Sequence, residues 1–232
     1  MSKKKEKKGK RKFRIFILII GFLLLLTFII IMLGAYVFKI PAKSIIVHGN
    51  SYLPESEILD SINIEENPNF FLTSTVDITK KLKKSPFIKE VKVTKNILFE
   101  INIYIEEYKP YFIREDQNKI VLSNGKEIQN KEEYDLNIPS LINYVPDTKY
   151  KELIEKLNKI DYVLIKKISQ IMYSPTKYDE DRFILYMNDS NRVYINLPKF
   201  KSFNKYDEMV TKLEGKTGKL FLDSGNYFEI DK

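Results

Sequence analysis

Residues 15 to 38 form 24 consecutive positions with no charge and no proline, and almost nothing polar except Thr27. A helix of that length reaches about 36 Å at about 1.5 Å per residue, enough to cross a hydrocarbon core of about 30 Å with some tilt. Nine Lys or Arg side chains precede the run within residues 1–14, against the single acid Glu6, whereas only Lys39 and Lys43 flank its far side. The positive-inside rule therefore predicts a cytoplasmic N-terminus and an extracytoplasmic remainder, a single-pass type II topology. A cleavable secretory signal would carry a shorter apolar region, about 7–15 residues, ending at a small-x-small site. This run is longer and closes on Gly34-Ala35-Tyr36-Val37-Phe38, which reads as a retained anchor.

The formal charge of +8 belongs entirely to that basic tail, because the chain beyond residue 14 holds 30 basic and 30 acidic residues. The basicity is a topology signal and a possible headgroup contact, so the folded part offers no basic face for nucleic acid. There is no cysteine, which excludes disulfides, thiol catalysis and thiolate metal sites. The remaining stretch is long enough for one large or two small domains, each resting on its own core.

After Pro41, Ser44-Ile45-Ile46-Val47-His48 reads as a strand ended by the turn Gly49-Asn50. Residues 54–62 read as a helix with Pro54 near its first position and Ile58, Leu59 and Ile62 on one face. A second helix is expected over about 76–84, capped by Thr73, Ser74 or Thr75 and stopped by Ser85-Pro86. Val91 and Val93 alternate with polar neighbours, as do Phe99, Ile101, Ile103 and Ile105, which predicts two half-buried strands. Beyond Pro110 the chain is mostly β. Strands are expected around residues 111–113, 120–122 and 127–128, the last two joined by Asn124-Gly125. A helix over 149–159 has an undecided end, with continuation to Ile168 left open. A hairpin follows over 182–197, then a helix over 206–213 ending at Gly215, and strands 219–222 and 227–230.

Catalytic patterns are thin. The only histidine is His48, and no H-E-x-x-H or G-x-S-x-G pattern accompanies it. Three Ser-x-x-Lys matches, Ser123/Lys126, Ser174/Lys177 and Ser202/Lys205, are about what a lysine-rich chain yields by chance. The acidic pairs Glu106/Glu107 and Glu132/Glu133 read as solvated faces. No metal, cofactor or catalytic residue is expected. The alternative is a membrane-anchored cell-wall enzyme with an active site not visible in the sequence.

One ordered set of segments resembles the FtsQ/DivIB division-protein family. It begins with a basic tail, one span, and Ile45-x-Val47-x-Gly49-Asn50 followed by Glu57-Ile58. It continues through Ser85-Pro86-Phe87-Ile88-Lys89-Glu90-Val91-Lys92-Val93 and Ile101-x-Ile103-x-Ile105-x-Glu107 to Pro110, then residues 120–126, Ile138-Pro139 and residues 218–228. The chain departs from the family at Asn96-Ile97, where proline is common, and at Phe221-Leu222, where Asp-Leu is common. The resemblance implies an α+β chain: a basic cytoplasmic tail (1–14), a transmembrane helix (15–38), a POTRA domain of β-α-α-β-β order (43–110) and a mostly antiparallel β domain with flanking helices (111–232). It also implies a non-enzymatic divisome scaffold at the septum. The expected partners are FtsL-like and FtsB/DivIC-like single-span proteins and, through them, the septal peptidoglycan synthase. An open strand edge can accept a partner strand. The candidate partner-binding residues are Lys219, Leu220, Phe221, Leu222, Tyr227, Phe228 and Ile230, with Leu220 and Leu222 on one side and Phe221 on the other. The strand over 88–95 is a secondary candidate, with Lys89, Lys92 and Lys95 as charges that discourage edge pairing.

Overall fold

The computed structural model describes residues 2–65, 67–131, 134 and 136–231, with side chains from Ile15 onward. The expected pair Glu132/Glu133 lies outside the described residues. Helix α1 (Ser2–Val37) joins the basic tail and the apolar run without a break, so the two are one helix. Its stretch Ile15–Val37 has mean hydropathy 3.3 and buries nothing against the rest of the protein. A helix of this length and apolar composition is able to cross a membrane, and it is read as the membrane anchor. The Thr27 hydroxyl donates to the Leu24 carbonyl at 2.8 Å, so the one polar side chain in the middle of the span is satisfied within it.

Beyond the anchor come β1 (Ser44–His48), α2 (Glu55–Ile62), α3 (Thr75–Leu82), β2 (Ile88–Lys95) and β3 (Glu100–Glu107). They form a three-stranded sheet of order β1-β3-β2, with β1 parallel and β2 antiparallel to the central β3. Ser74 caps α3, its Oγ accepting from the Asp77 N–H at 3.2 Å. Pro54 is the N-cap of α2 rather than its first residue, and no side chain caps that end. Ile58, Ile62, Ile78 and Leu82 meet Ile101 and Ile103 of β3 in the core. Gly49 is required where it stands: its φ is +87°, and a Cβ would lie 2.3 Å from the Ile105 carbonyl oxygen.

Phe99 corrects the sequence reading. It fits the alternation of β3 but lies in the preceding turn at φ +61°. The Asn96 side chain accepts from the Leu98 and Glu100 N–H groups and closes that turn before the strand starts. Lys95 is also not a solvated edge charge: its ammonium donates to the Phe70 carbonyl.

The rest of the chain contains β4 (Pro110–Arg114), β5 (Lys119–Leu122), β6 (Glu127–Gln129), β7 (Ser140–Leu141), α4 (Asp147–Leu157), α5 (Tyr162–Ile165), β8 (Ile168–Tyr173), β9 (Arg182–Met187) and β10 (Arg192–Asn196). A 3-10 helix (Leu197–Lys205), α6 (Tyr206–Thr211), β11 (Gly218–Phe221) and β12 (Tyr227–Ile230) complete it. The nine strands form one mixed sheet of order β12-β11-β10-β9-β8-β7-β4-β5-β6. Five neighbouring pairs are antiparallel and three are parallel. The open question about the helix over 149–168 resolves into a break. Asp161 caps α5 by accepting from the Val163 N–H at 3.0 Å, and β8 begins at Ile168.

The two units share packing. In β5, Ile120 and Leu122 point into the core of the three-stranded unit, while Val121 points into the core under α4. All three are fully buried. The ring of Tyr134 meets Phe87 at 5.5 Å, its hydroxyl reaches both oxygens of Glu57, and Lys131 bridges Glu57 at 2.8 Å. Burying two aliphatic side chains across this junction contributes on the order of 3–6 kcal/mol.

Candidate docking edge

The last two strands build the candidate site. Strand β11 lies parallel to β10, with Val193 opposite Leu220 and Tyr194 opposite Phe221. Strand β12 returns antiparallel, pairing Gly218 with Ile230 and Phe221 with Tyr227. It is the outermost strand, so one of its hydrogen-bonding edges has no strand neighbour among the described residues. An edge of this kind presents backbone donors and acceptors ready for another strand.

The hairpin is held at both ends. Asn191, buried to 2 % exposure, accepts from the Gly218 N–H at 2.9 Å. The Asp231 N–H donates to Thr217 at 3.0 Å, and Asp231 takes both contacts of the Arg192 guanidinium at 2.7 Å. At the turn end, the Leu222 and Asp223 N–H groups share the Tyr194 carbonyl, and Asp223 accepts from Arg182 at 2.9 Å. Gly218 is buried, and a Cβ there would meet the Glu229 carbonyl oxygen at 2.1 Å, so the two backbones approach as closely as they do only because position 218 has no side chain.

The sequence-selected residues divide by depth. Leu220 and Leu222 are buried in the core and hold β11 down from one face, the side opposite Phe221. Phe228 is half-buried against the same core. Phe221 stacks between Tyr194 and Tyr227, with both centroid distances 4.7 Å, and Arg182 lies 4.7 Å over Tyr194. Tyr227 and Ile230 are each 51 % exposed at the rim. Lys219 sits on the outer face, 3.5 Å from Glu229. This ladder of one guanidinium and three rings spans four strands and stiffens the sheet up to its edge. Sequence reasoning missed Arg182, Tyr194, Asn191 and Asp231. Tyr194 carried a signal: it is an aromatic residue on the outward positions of a strand whose Val193 and Ile195 point inward.

The places where chemistry could sit read differently. His48 stacks on Tyr104 at 4.8 Å and contacts Asn102 at 3.1 Å. Glu107 accepts from the N–H groups of Ser51, Tyr52 and Leu53 at 2.8, 2.8 and 3.0 Å, and Glu106 pairs with Lys89. A 280 Å³ cavity between β4 and α4 is lined by Arg114, Glu127, Asp147, Tyr150 and Lys151. Burial pushes the Glu127 carboxyl up, but hydrogen bonds from Arg114, Tyr150 and Lys119 more than offset this and hold it below the usual carboxylate range. That carboxylate is committed to its ion pairs and is poorly suited to deliver a proton. No cluster of three or more His, Cys, Asp or Glu able to hold a metal ion occurs among the described residues.

Comparison with known proteins gives a consistent set of matches. The family model described as "POTRA domain, FtsQ-type" matches residues 40–108. The chain is similar to the cell division protein DivIB of Bacillus subtilis, 31% identical over 97% of this chain and 87% of that protein. It is also similar to DivIB of Bacillus cereus, 31% identical over 80% of this chain and 74% of the relative. A solved extracytoplasmic domain of DivIB from Geobacillus stearothermophilus overlaps 47% of this chain and 96% of its own length at 24% identity, with a TM-score of 0.38.

Proposed function

The chain belongs to the DivIB family of cell division proteins, and on that premise we propose that it is a divisome scaffold which captures its partners by adding a strand to β12. Its role in bacterial cell division follows from the family, whose members are named as cell division proteins and not as enzymes. The finer reading is ours. The N-terminus lies in the cytoplasm and the two sheets lie outside, at the septum. FtsL-like and FtsB/DivIC-like single-span proteins dock on the outer edge and through it stabilise the septal peptidoglycan synthesis machinery. Residues 43–110 act as the POTRA domain and 111–232 as the docking domain.

The observation that carries the proposal is the open outer strand of a nine-stranded sheet, braced from within by the Arg182-Tyr194-Phe221-Tyr227 ladder. A stiff, pre-formed edge loses little freedom when a partner strand pairs with it. Tyr227 and Ile230 supply exposed apolar contacts beside the backbone. Partners anchored in the same bilayer meet this edge at high effective concentration, so a modest interface suffices.

Strand parity supplies the test. The Asp231 N–H points inward to Thr217, so the N–H groups of Ile230 and Phe228 point outward. Ile230→Pro removes an outward donor while leaving the β11 pairing intact, a change an edge strand tolerates. The expected result is loss of co-purification with the two single-span partners from membranes that still contain the full-length protein. Undiminished partner recovery with Ile230→Pro would count against strand addition at this edge.

A further inference from the structure

Beside the exit of the anchor the protein leaves an apolar surface uncovered. Two loops build it: residues 69–73 between α2 and α3, and the turn 96–99 between β2 and β3. Ile97 is 94% exposed, Leu72 60%, Leu98 57%, Phe71 47% and Phe99 39%. Single exposed apolar residues are ordinary, but five gathered on two adjoining loop tips are not, since such tips usually carry small or polar residues.

The surface is built and held. Phe70 packs edge-on against both Phe71 and Phe99, at 5.1 and 5.3 Å, joining one loop to the other. The Asn69 side chain accepts from the Phe71 and Leu72 N–H groups, both at 2.9 Å, and turns those two side chains outward. Asn96 plays the same part for the second tip. Phe99 is kept at φ +61°, a backbone state that costs a residue with a Cβ and persists only where its surroundings enforce it.

Its position relative to the anchor is fixed by hydrogen bonds from the exit segment to both loops. Helix α1 ends at Val37. The very next carbonyl, that of Phe38, accepts from the Asn69 side chain, and the Ile40 carbonyl accepts from the Phe70 N–H at 3.0 Å. The Ala42 N–H donates to Pro68 at 2.7 Å, and the Lys43 N–H donates to Phe99 at 2.8 Å. Both loops are therefore attached within six residues of the end of the span. The interfacial layer on each side of the hydrocarbon core is about 5–8 Å deep, and these bonds tie the loop carrying Phe71 and Leu72 to the segment that leaves it. Lys39 and Lys43 are exposed beside the patch, where cations meet anionic headgroups.

We propose that Phe71, Leu72, Ile97, Leu98 and Phe99 sit in the outer interfacial layer of the bilayer, a second membrane contact that seats the three-stranded unit on the lipid surface. The occupant is lipid rather than a protein partner, because the span itself places the patch against the headgroups before any partner arrives. The inference rests on the anchor reading of α1 and is independent of docking at β12.

The absence of cysteine makes the test direct. Full-length protein with a single substitution, Leu72→Cys or Ile97→Cys, is labelled with a polarity-sensitive fluorophore and reconstituted in phosphatidylcholine/phosphatidylglycerol vesicles. Thr27→Cys marks the span, and Tyr178→Cys, 92% exposed in the nine-stranded unit, marks the aqueous reference. Positions 72 and 97 should emit to the blue of position 178, be quenched by headgroup-level spin-labelled lipid, and be at least about fivefold less accessible to iodide. If both match position 178 while position 27 is lipid-buried, the membrane contact is wrong and the anchor stands. If position 27 is itself accessible, the anchor and the contact fall together. Protection that appears only when other division proteins are co-reconstituted also overturns the proposal, because it makes the occupant a protein.

Discussion

Replacing Gly218 with alanine should detach β12 while leaving the rest of the sheet in place. Gly218 and Ile230 face each other across the β11–β12 pair, flanked by the Lys219–Glu229 and Thr217–Asp231 positions. A Cβ at 218 would stand 2.1 Å from the Glu229 carbonyl oxygen, and contacts under 3.0 Å force something to shift. The obstacle is backbone, so the strands themselves must part by about 0.9 Å. That takes the 3.0 Å Asp231-to-Thr217 bond well beyond the usual N–H···O range of about 2.7–3.2 Å. It also strains the half-exposed Arg192–Asp231 pair. Loss of one or two backbone bonds and part of an exposed ion pair comes to about 2–3 kcal/mol of local stability. Hydrogen exchange read by mass spectrometry should then quicken by about 30- to 150-fold at the inward amides of Tyr227, Glu229 and Asp231. The amides of β9 and β10 should keep their protection, since β11 remains held by Asn191 and by its pairing with β10. Partner capture should fall in parallel. Unchanged exchange across residues 227–231 would refute the reasoning, because it would mean that the backbones accommodate a Cβ without opening.

Three other perturbations test the architecture. Glu107→Ala strips the acceptor from three N–H groups in the turn after β1 and should destabilise the three-stranded unit by about 2–3 kcal/mol, read as a lower denaturant midpoint and faster exchange at residues 51–53. Leu122→Ala opens a void in the core shared between the units and should cost about 2–5 kcal/mol, with protection lost on both sides of the junction; loss confined to the nine-stranded sheet would contradict a shared core. Burial pushes the Tyr111 hydroxyl up to about 12, and Tyr150, Tyr162 and Tyr206 are raised by burial as well. A raised folded-state value means stability that is full below the unfolded value of about 10 and declines as pH rises above it. Tyrosinate absorbance should therefore show these four side chains ionising at higher pH in the folded protein than in the unfolded chain.

The first sheet was legible because its signals were local. Val91 and Val93, and then Ile101, Ile103 and Ile105, alternate strictly, Ser74 caps a helix of the expected length, and Gly49 ends β1. Phe99 was misread because alternation alone cannot see that the Asn96 side chain closes a turn around it. Strand β8 was hidden for a different reason. Ile168 and Ile171 are both buried although three residues apart, a helical spacing, because an irregularity between 168 and 170 shifts the register. Strand β7 has only two residues, too few for any period to show. At the candidate docking edge, the strands and the split between Leu220 and Phe221 could be read from the sequence. The stacking partner Tyr194 and the clamp Asn191 come from a hairpin some 30 residues earlier, and no spacing rule reaches that far. The shared core had one unread sign, the unbroken triplet Ile120-Val121-Leu122, which suits a strand covered on both faces.

The strand order also makes the nine-stranded sheet a spacer of set length. Its inner edge, β6, lies near the junction with the three-stranded unit, and its free edge lies eight inter-strand steps away. At about 4.8 Å per step the two are separated by about 38 Å, the length of roughly 25 helical residues. On the proposed docking at β12, a partner must reach that outer edge by its own length, so the sheet would act as a gauge for the stretch of chain between the partner's membrane span and its pairing strand.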